Sequence, residues 1–270
     1  MNNLALRIVT ALIGVGAIIA ATVLSPWAFA IVFALIMLLT LKEFYGLAKN
    51  SGNHPYEVWG LTFSLILYAL IFCYFQLELS TKLFWLLPAL FATVLIYPLQ
   101  AIKKSHAINC TALSTFGVVY IAIPFSLLHS IGFLGGTYSY VLILGILFLQ
   151  WANDTGAYFA GKTFGKRKLF ERVSPNKTWE GSIGGFLLSL VIAYGFYELF
   201  GEIGLMEWLG LGAITAIFGT LGDLTESLFK RTLAIKDSGS ILPGHGGFLD
   251  RFDGLLLSLP FTTAYLHLIL

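Results

Sequence analysis

The chain has 270 residues, 57% of them hydrophobic and only 11% charged, with a formal net charge of +2 and a mean hydropathy of +0.84. Soluble domains carry about 25% charged residues because their surface meets water, so this composition excludes a soluble globular protein, and no nucleic-acid partner is expected. Most of the surface must face lipid.

Nine apolar runs approach the roughly 20 residues that a helix needs to cross a hydrocarbon core about 30 Å thick. In chain order they are Ile8–Leu24, Trp27–Leu41, Val58–Leu77, Leu83–Ile102, Thr111–Leu134, Tyr138–Ala160, Ile183–Phe200, Leu205–Gly222 and Gly254–Leu270. Arg7 before the first run also suits a signal peptide, but the cleavage-like triplet Ala28-Phe29-Ala30 falls inside the next run, so the first is read as a span. Pro88, Pro98 and Pro124 lie within spans, where neighbouring helices can satisfy the freed carbonyls. Cys73 and Cys110 suggest neither a disulfide framework nor a thiolate metal site.

If the N-terminus is cytoplasmic and nine spans alternate, 15 of the 16 Lys and Arg fall in cytoplasmic segments, and only Lys82 is left outside. The expected fold is therefore an all-α polytopic membrane protein of about nine helices, with its N-terminus inside and its C-terminus outside. Residues 1–270 read as one membrane domain: 1–150 mainly scaffold helices, 151–270 a catalytic part with cytoplasmic loops 161–182 and 223–253. The charges support that division, since residues 1–150 hold six basic and three acidic residues against ten and eleven in the remainder.

Near the end of the sixth run stands Asn153-Asp154, followed by Lys162 and the basic run Lys166-Arg167-Lys168. The basic run reads as an anchor for anionic lipid head groups. In Ser174-Pro-Asn-Lys177-Thr-Trp-Glu-Gly, the Ser174-Pro175 pair suits a helix N-cap with proline at the first helical position. Lys177 would face the same compartment as the aspartates further on.

Asp223, Glu226, Ser227 and Lys230 stand at i, i+3, i+4 and i+7, one face of a helix at the end of the eighth run. Alone, this face also suits an ordinary interfacial helix end whose charges cancel. The next stretch of chain is less ordinary: Lys236-Asp237, then Leu242-Pro-Gly244-His245-Gly246-Gly247, then Asp250-Arg251-Phe-Asp253. Glycines let backbone N–H groups approach an anion closely. Asp250 and Asp253, one helical turn apart, could present hard oxygen ligands of the kind Mg²⁺ takes, with Asp223 joining them. Lys230, Arg231, Lys236 and Arg251 supply cations for a phosphate chain. His245 could act as a base or only donate to a phosphate.

These residues carry a resemblance. Ser227-x-x-Lys230-Arg231, Lys236-Asp237, Leu242 to Gly247 and Asp250-Arg251-x-Asp253 resemble the signature of the phosphatidate cytidylyltransferases, or CDP-diacylglycerol synthases, at every position over about 27 residues. Asp154-Thr-Gly-Ala-Tyr and Ser174-Pro-Asn-Lys177-Thr-Trp-Glu-Gly resemble the same family. The resemblance implies CTP and phosphatidic acid as substrates, CDP-diacylglycerol and pyrophosphate as products, and a requirement for Mg²⁺, with a second cation and a homodimer left open. It implies an active site on the cytoplasmic side of a bacterial inner membrane. Asp223 and Asp250 are the expected metal ligands, with Asp253 and Lys230 as further catalytic groups. Lys177, Ser227, Arg231, Lys236, Asp237, Gly244, His245, Gly246, Gly247 and Arg251 are the expected substrate-binding set. Two rivals remain at this point: a CTP-using lipid or polyprenol kinase, and an ion-coupled transporter, which would place its acids near the bilayer midplane instead.

Overall fold

In lipid a backbone amide finds no water, so each apolar run must satisfy its own hydrogen bonds, and a helix is the form that does so. The computed structural model describes residues 3–50, 52–100, 107–232 and 246–270. Its helices are α1 (Asn3–Leu24), α2 (Pro26–Asn50), α3 (Glu57–Leu77), α4 (Leu86–Ala92), α5 (Ala107–Gly117), α6 (Ile123–Gly132), α7 (Val141–Phe164), α8 (Trp179–Phe200), α9 (Leu205–Thr232) and α10 (Leu249–Ile269). Among the described residues, seven helical segments are long and apolar enough to cross a membrane. The protein is all-α and polytopic, with one departure: Lys168–Phe170 (β1) and Ser174–Thr178 (β2) form a small antiparallel hairpin.

Within the described residues, each predicted run falls largely on helix, and the differences lie at the ends and at the prolines. The fourth run is broken into α4 and three short 3₁₀ turns, Thr81–Trp85, Thr93–Leu95 and Tyr97–Gln100. The fifth passes from α5 through a wide π-type turn, Val118–Ala122, into α6. Pro124 lies one residue beyond the start of α6 and has no N–H to return to the preceding turn, so the regular ladder cannot run straight through. The Ser174-Pro175 helix start is corrected: these residues belong to β2, and Thr178 caps α8 by accepting from Gly181 N–H at 3.2 Å.

The described residues fall into two compact units, drawn from Met1–Tyr138 with Asp237–Leu249 and from Ser139–Lys236 with Asp250–Leu270. In the first, Phe29, Phe33, Met37, Leu41 and Tyr45 recur every fourth residue of α2 and are all fully buried, whereas Ile31 and Leu35 on other faces are exposed, as lipid-facing side chains are. Tyr45 fits because α3 and α5 present Gly60 and Gly117 to its ring. A Cβ on Gly117 would come within 2.7 Å of Cε1. The Tyr45 hydroxyl then reaches across to donate to Ser114 O at 2.7 Å.

The second unit is held by backbones in contact. Lipid tails offer helices no hydrophobic gain on association, so small residues that let main chains touch take over that role. A Cβ on Gly156 of α7 would lie 2.6 Å from Gly184 O of α8, and one on Gly185 would lie 2.5 Å from Asn153 O. Further along the same interface, Ser189 Oγ donates to Leu149 O at 2.8 Å. The next contact repeats the device: a Cβ on Gly222 of α9 would lie 2.5 Å from Asp253 O and 2.9 Å from Gly254 Cα of α10.

Gly156→Val should therefore force α7 from α8 and cost about 1–3 kcal/mol or more, the scale of overpacking. A thermal melt of the detergent-solubilised protein checks this; a melting temperature equal to wild type would show that the helices do not approach this closely.

Candidate active site

Seven charged residues of the second unit lie on four elements. Asp154 lies on the last turns of α7, Lys177 on β2, Asp223, Glu226 and Lys230 on α9, and Asp250 and Asp253 in the first turns of α10. At 28 residues α9 spans about 42 Å, longer than a hydrocarbon core of about 30 Å, so its final turns can carry charge beyond the apolar layer. Gly222 and Gly254 make the close α9–α10 contact, and they are the immediate neighbours of Asp223 and Asp253. The two carboxylates are consequently held beside this close contact, within hydrogen-bonding reach of each other.

Lys177 forms an ion pair with Asp223. The hairpin that presents it is closed from below by Glu180, whose carboxylate accepts from Lys166 N–H at 3.1 Å and Arg167 N–H at 3.2 Å, while Trp179 N–H donates to Arg167 O at 3.0 Å. Lys168 Nζ donates to Pro175 O across the hairpin at 2.6 Å. Arg231 Nε donates to Val173 O at 3.4 Å, so this expected phosphate holder ties the hairpin turn to the end of α9.

Lys230 sits between two acids, with Nζ 2.5 Å from Glu226 Oε2 and 2.6 Å from Asp250 Oδ1. Glu226 is 1% exposed, and a carboxylate removed from water to that degree requires a counter-charge. Asp154 accepts from Gln150 Nε2 at 3.1 Å and feels the charges of Asp223, Lys177 and Arg251. The amide of Gln150 fills the space left by Gly219 and Gly254, since a Cβ on either would collide with it.

Five acids (Asp154, Asp223, Glu226, Asp250 and Asp253) thus gather with three bases (Lys177, Lys230 and Arg251), so acidic side chains outnumber basic ones. The donors are hard oxygens, the chemistry that Mg²⁺ takes. Among the described residues no group of three acids, histidines or cysteines is placed to hold a metal ion by itself. An open arrangement is what Mg²⁺ uses when one or two carboxylates hold it and substrate phosphates complete its shell. Asp223 has Asp253 as its near carboxylate, whereas Asp250 lies against Lys230 and Glu226.

Ser227 is half-buried on α9 and Arg251 exposed on α10. Gly246 and Gly247 belong to the first unit. The expectations for Lys236, Asp237, Gly244 and His245 fall outside the described residues. Two participants were missed as site residues from sequence. Glu226 was visible only as one acid on a charged face, and Asp154 as an acid near a span end in a segment resembling the family, with no role assigned to it. The signal available for both was an ionisable group on an otherwise apolar helix.

With this geometry in place, the comparisons with known proteins are informative. The pattern of the cytidylyltransferase family matches residues 5–269. Similar proteins include the phosphatidate cytidylyltransferases of Haemophilus influenzae (46% identical over 134 residues, 48% of this chain and 46% of that one), Bacillus subtilis (41% over 177 residues, 64% and 65%) and Staphylococcus aureus (42% over 160 residues, 58% and 60%). The chain thus spans about half to just under two thirds of the length of these curated relatives. Because the family pattern covers nearly the whole chain, this protein belongs to the cytidylyltransferase family.

Proposed function

We propose that the protein is a phosphatidate cytidylyltransferase, which transfers the cytidylyl group of CTP to phosphatidic acid at the cytoplasmic face of a bacterial cell membrane. The observation that carries this reading is the joined set Lys177–Asp223–Asp253 with Asp154 beside it: an acid-rich, hard-oxygen site with a lysine in place. The names of the three relatives support it.

In the reaction, a phosphate oxygen of phosphatidate attacks the α-phosphorus of CTP. A new P–O bond forms as the bond to the β-phosphate breaks, and the electron pair leaves with pyrophosphate, in line. The attacking phosphate is already ionised at neutral pH, so no general base is required. The protein's tasks are to bring two polyanions together and to offset charge as it develops. Asp223 and Asp250 are the proposed holders of Mg²⁺, with Asp253 next to Asp223. Mg²⁺ when bound would supply the positive charge that offsets the α-phosphate and the leaving group. Lys177 can exchange Asp223 for the phosphate of the lipid. Lys230 keeps Glu226 and Asp250 together while its ammonium stays near the phosphates. Arg231, Lys236 and Arg251 are the proposed triphosphate holders, with Ser227, Asp237, Gly244, His245, Gly246 and Gly247 around the nucleotide.

CTP labelled in the cytosine ring should place its label in the lipid, and γ-labelled CTP should release labelled pyrophosphate. Entry of the γ label into lipid would make the protein a kinase instead. Asp223→Asn and Asp250→Asn should each lower the rate at limiting Mg²⁺ by at least ~10²-fold, with an unchanged size-exclusion profile; retention of most activity by either variant removes that aspartate as a ligand.

Lys230→Met should strand two buried carboxylates, at a cost of about 3–5 kcal/mol, which a thermal melt reads; adding Glu226→Gln should recover part of the loss. For the orientation, a reporter after Leu270 should read as external and one within residues 161–182 as cytoplasmic. Both on one side would refute an odd number of spans between them.

A further inference from the structure

Glu43 lies on α2 two residues beyond the end of the apolar run Trp27–Leu41, and the predicted site contains no role for it. It is buried, with 7% of its surface exposed. A carboxylate in that position is costly unless it is satisfied, and Phe248 N–H donates to its Oε2 at 2.7 Å. Both residues belong to the first unit, although 205 positions separate them in the chain.

The bond is placed directly after two glycines, which impose little order of their own. Phe248 follows Gly246 and Gly247. Gly246 has φ = +82°, a conformation that residues with a Cβ rarely adopt. Glycine pairs lose more conformational freedom on ordering than any other dipeptide, so a fixed path through them needs an anchor from outside. A buried carboxylate accepting a main-chain N–H is a strong one, because a charge-assisted hydrogen bond is about twice as strong as a neutral one. Glu43 therefore fixes the peptide plane between Gly247 and Phe248. In the chain that plane comes directly before Leu249 and Asp250, where α10 begins.

We propose that Glu43 is a positioning residue. Its carboxylate holds the exit of Gly246-Gly247 in one orientation, so that these two residues are already ordered when a nucleotide phosphate binds. The proposal rests on the reading of the protein as a CTP-using transferase. The cost of ordering two glycines would otherwise fall on the binding step. Removing the anchor should therefore weaken apparent affinity for CTP and leave the lipid substrate and the chemical step alone.

The test uses the full-length protein in detergent, with Glu43→Leu and Glu43→Gln beside wild type. Glu43→Leu should raise KM for CTP about tenfold or more, the scale of one hydrogen bond to a charged group. Its kcat and its KM for phosphatidate should stay within about twofold of wild type. Glu43→Gln, whose amide oxygen still accepts the bond, should recover most of the loss. Independently of turnover, amide hydrogen exchange across Gly246–Phe248 should be at least about tenfold faster in Glu43→Leu. An unchanged KM for CTP overturns the proposal, as does a fall in kcat with both KM values altered together and a lowered melting temperature, the pattern of a residue that only stabilises the fold. A wild-type protein that forms no CDP-diacylglycerol sinks the functional reading instead. In that case the exchange measurement still decides about the anchor, because unaltered protection in Glu43→Leu shows that the carboxylate holds nothing.

Discussion

The contact between Gly222 and Gly254 sets the spacing on which the second unit depends. Without side chains at these two positions, the α9 and α10 backbones meet at van der Waals distance, and the neighbouring Asp223 and Asp253 are brought within hydrogen-bonding reach. Two carboxylates so close repel each other unless a cation or a proton lies between or beside them. Lys177 supplies one such charge to Asp223, and it can do so only because the β1–β2 hairpin projects it there. The hairpin in turn depends on Glu180 taking the N–H groups of Lys166 and Arg167. A sterically enforced helix contact thus propagates into the placement of nearly every charge nearby.

Much of this was legible from the amino-acid order. Within the described residues the nine apolar runs fall largely on helix, because the bilayer imposes a length and a polarity that composition records directly. The face formed by Asp223, Glu226 and Lys230 was also visible, since α9 continues unbroken to Thr232. The hairpin was not. Lys166 to Lys168 has the composition of a lipid-surface anchor, and Ser174-Pro175 has the form of a helix start. What ties the base of the hairpin together is Glu180, a residue 13 positions away from the Arg167 N–H it accepts from, and no local pattern reports such a bond. The Asp223 partner of Lys177 and the Asp250 partner of Lys230 were equally hidden, being 46 and 20 residues distant. Glu43 is the extreme case: one acid at the end of an apolar helix, with its partner 205 positions on.

An acid-rich site is at first a poor place to bring two polyanions. Five carboxylates against three cations would repel both CTP and phosphatidate across a medium that screens charge less than water does. On the proposed reading, Mg²⁺ would be the cation that offsets this excess of acids when the substrates arrive. The lysines then have a second use. Lys177 is held by Asp223, so its ammonium is already partly desolvated and positioned before a substrate enters. Exchanging one oxyanion partner for another, carboxylate for phosphate, costs far less than drawing a fully hydrated lysine out of water. The ion pair is therefore a preorganised resting arrangement rather than a competitor of binding. Lys230 differs in being held by two acids at once, one of them almost fully buried. To release it would strand both carboxylates, so its charge serves the site from where it stands, and Lys177 is the lysine free to change partners.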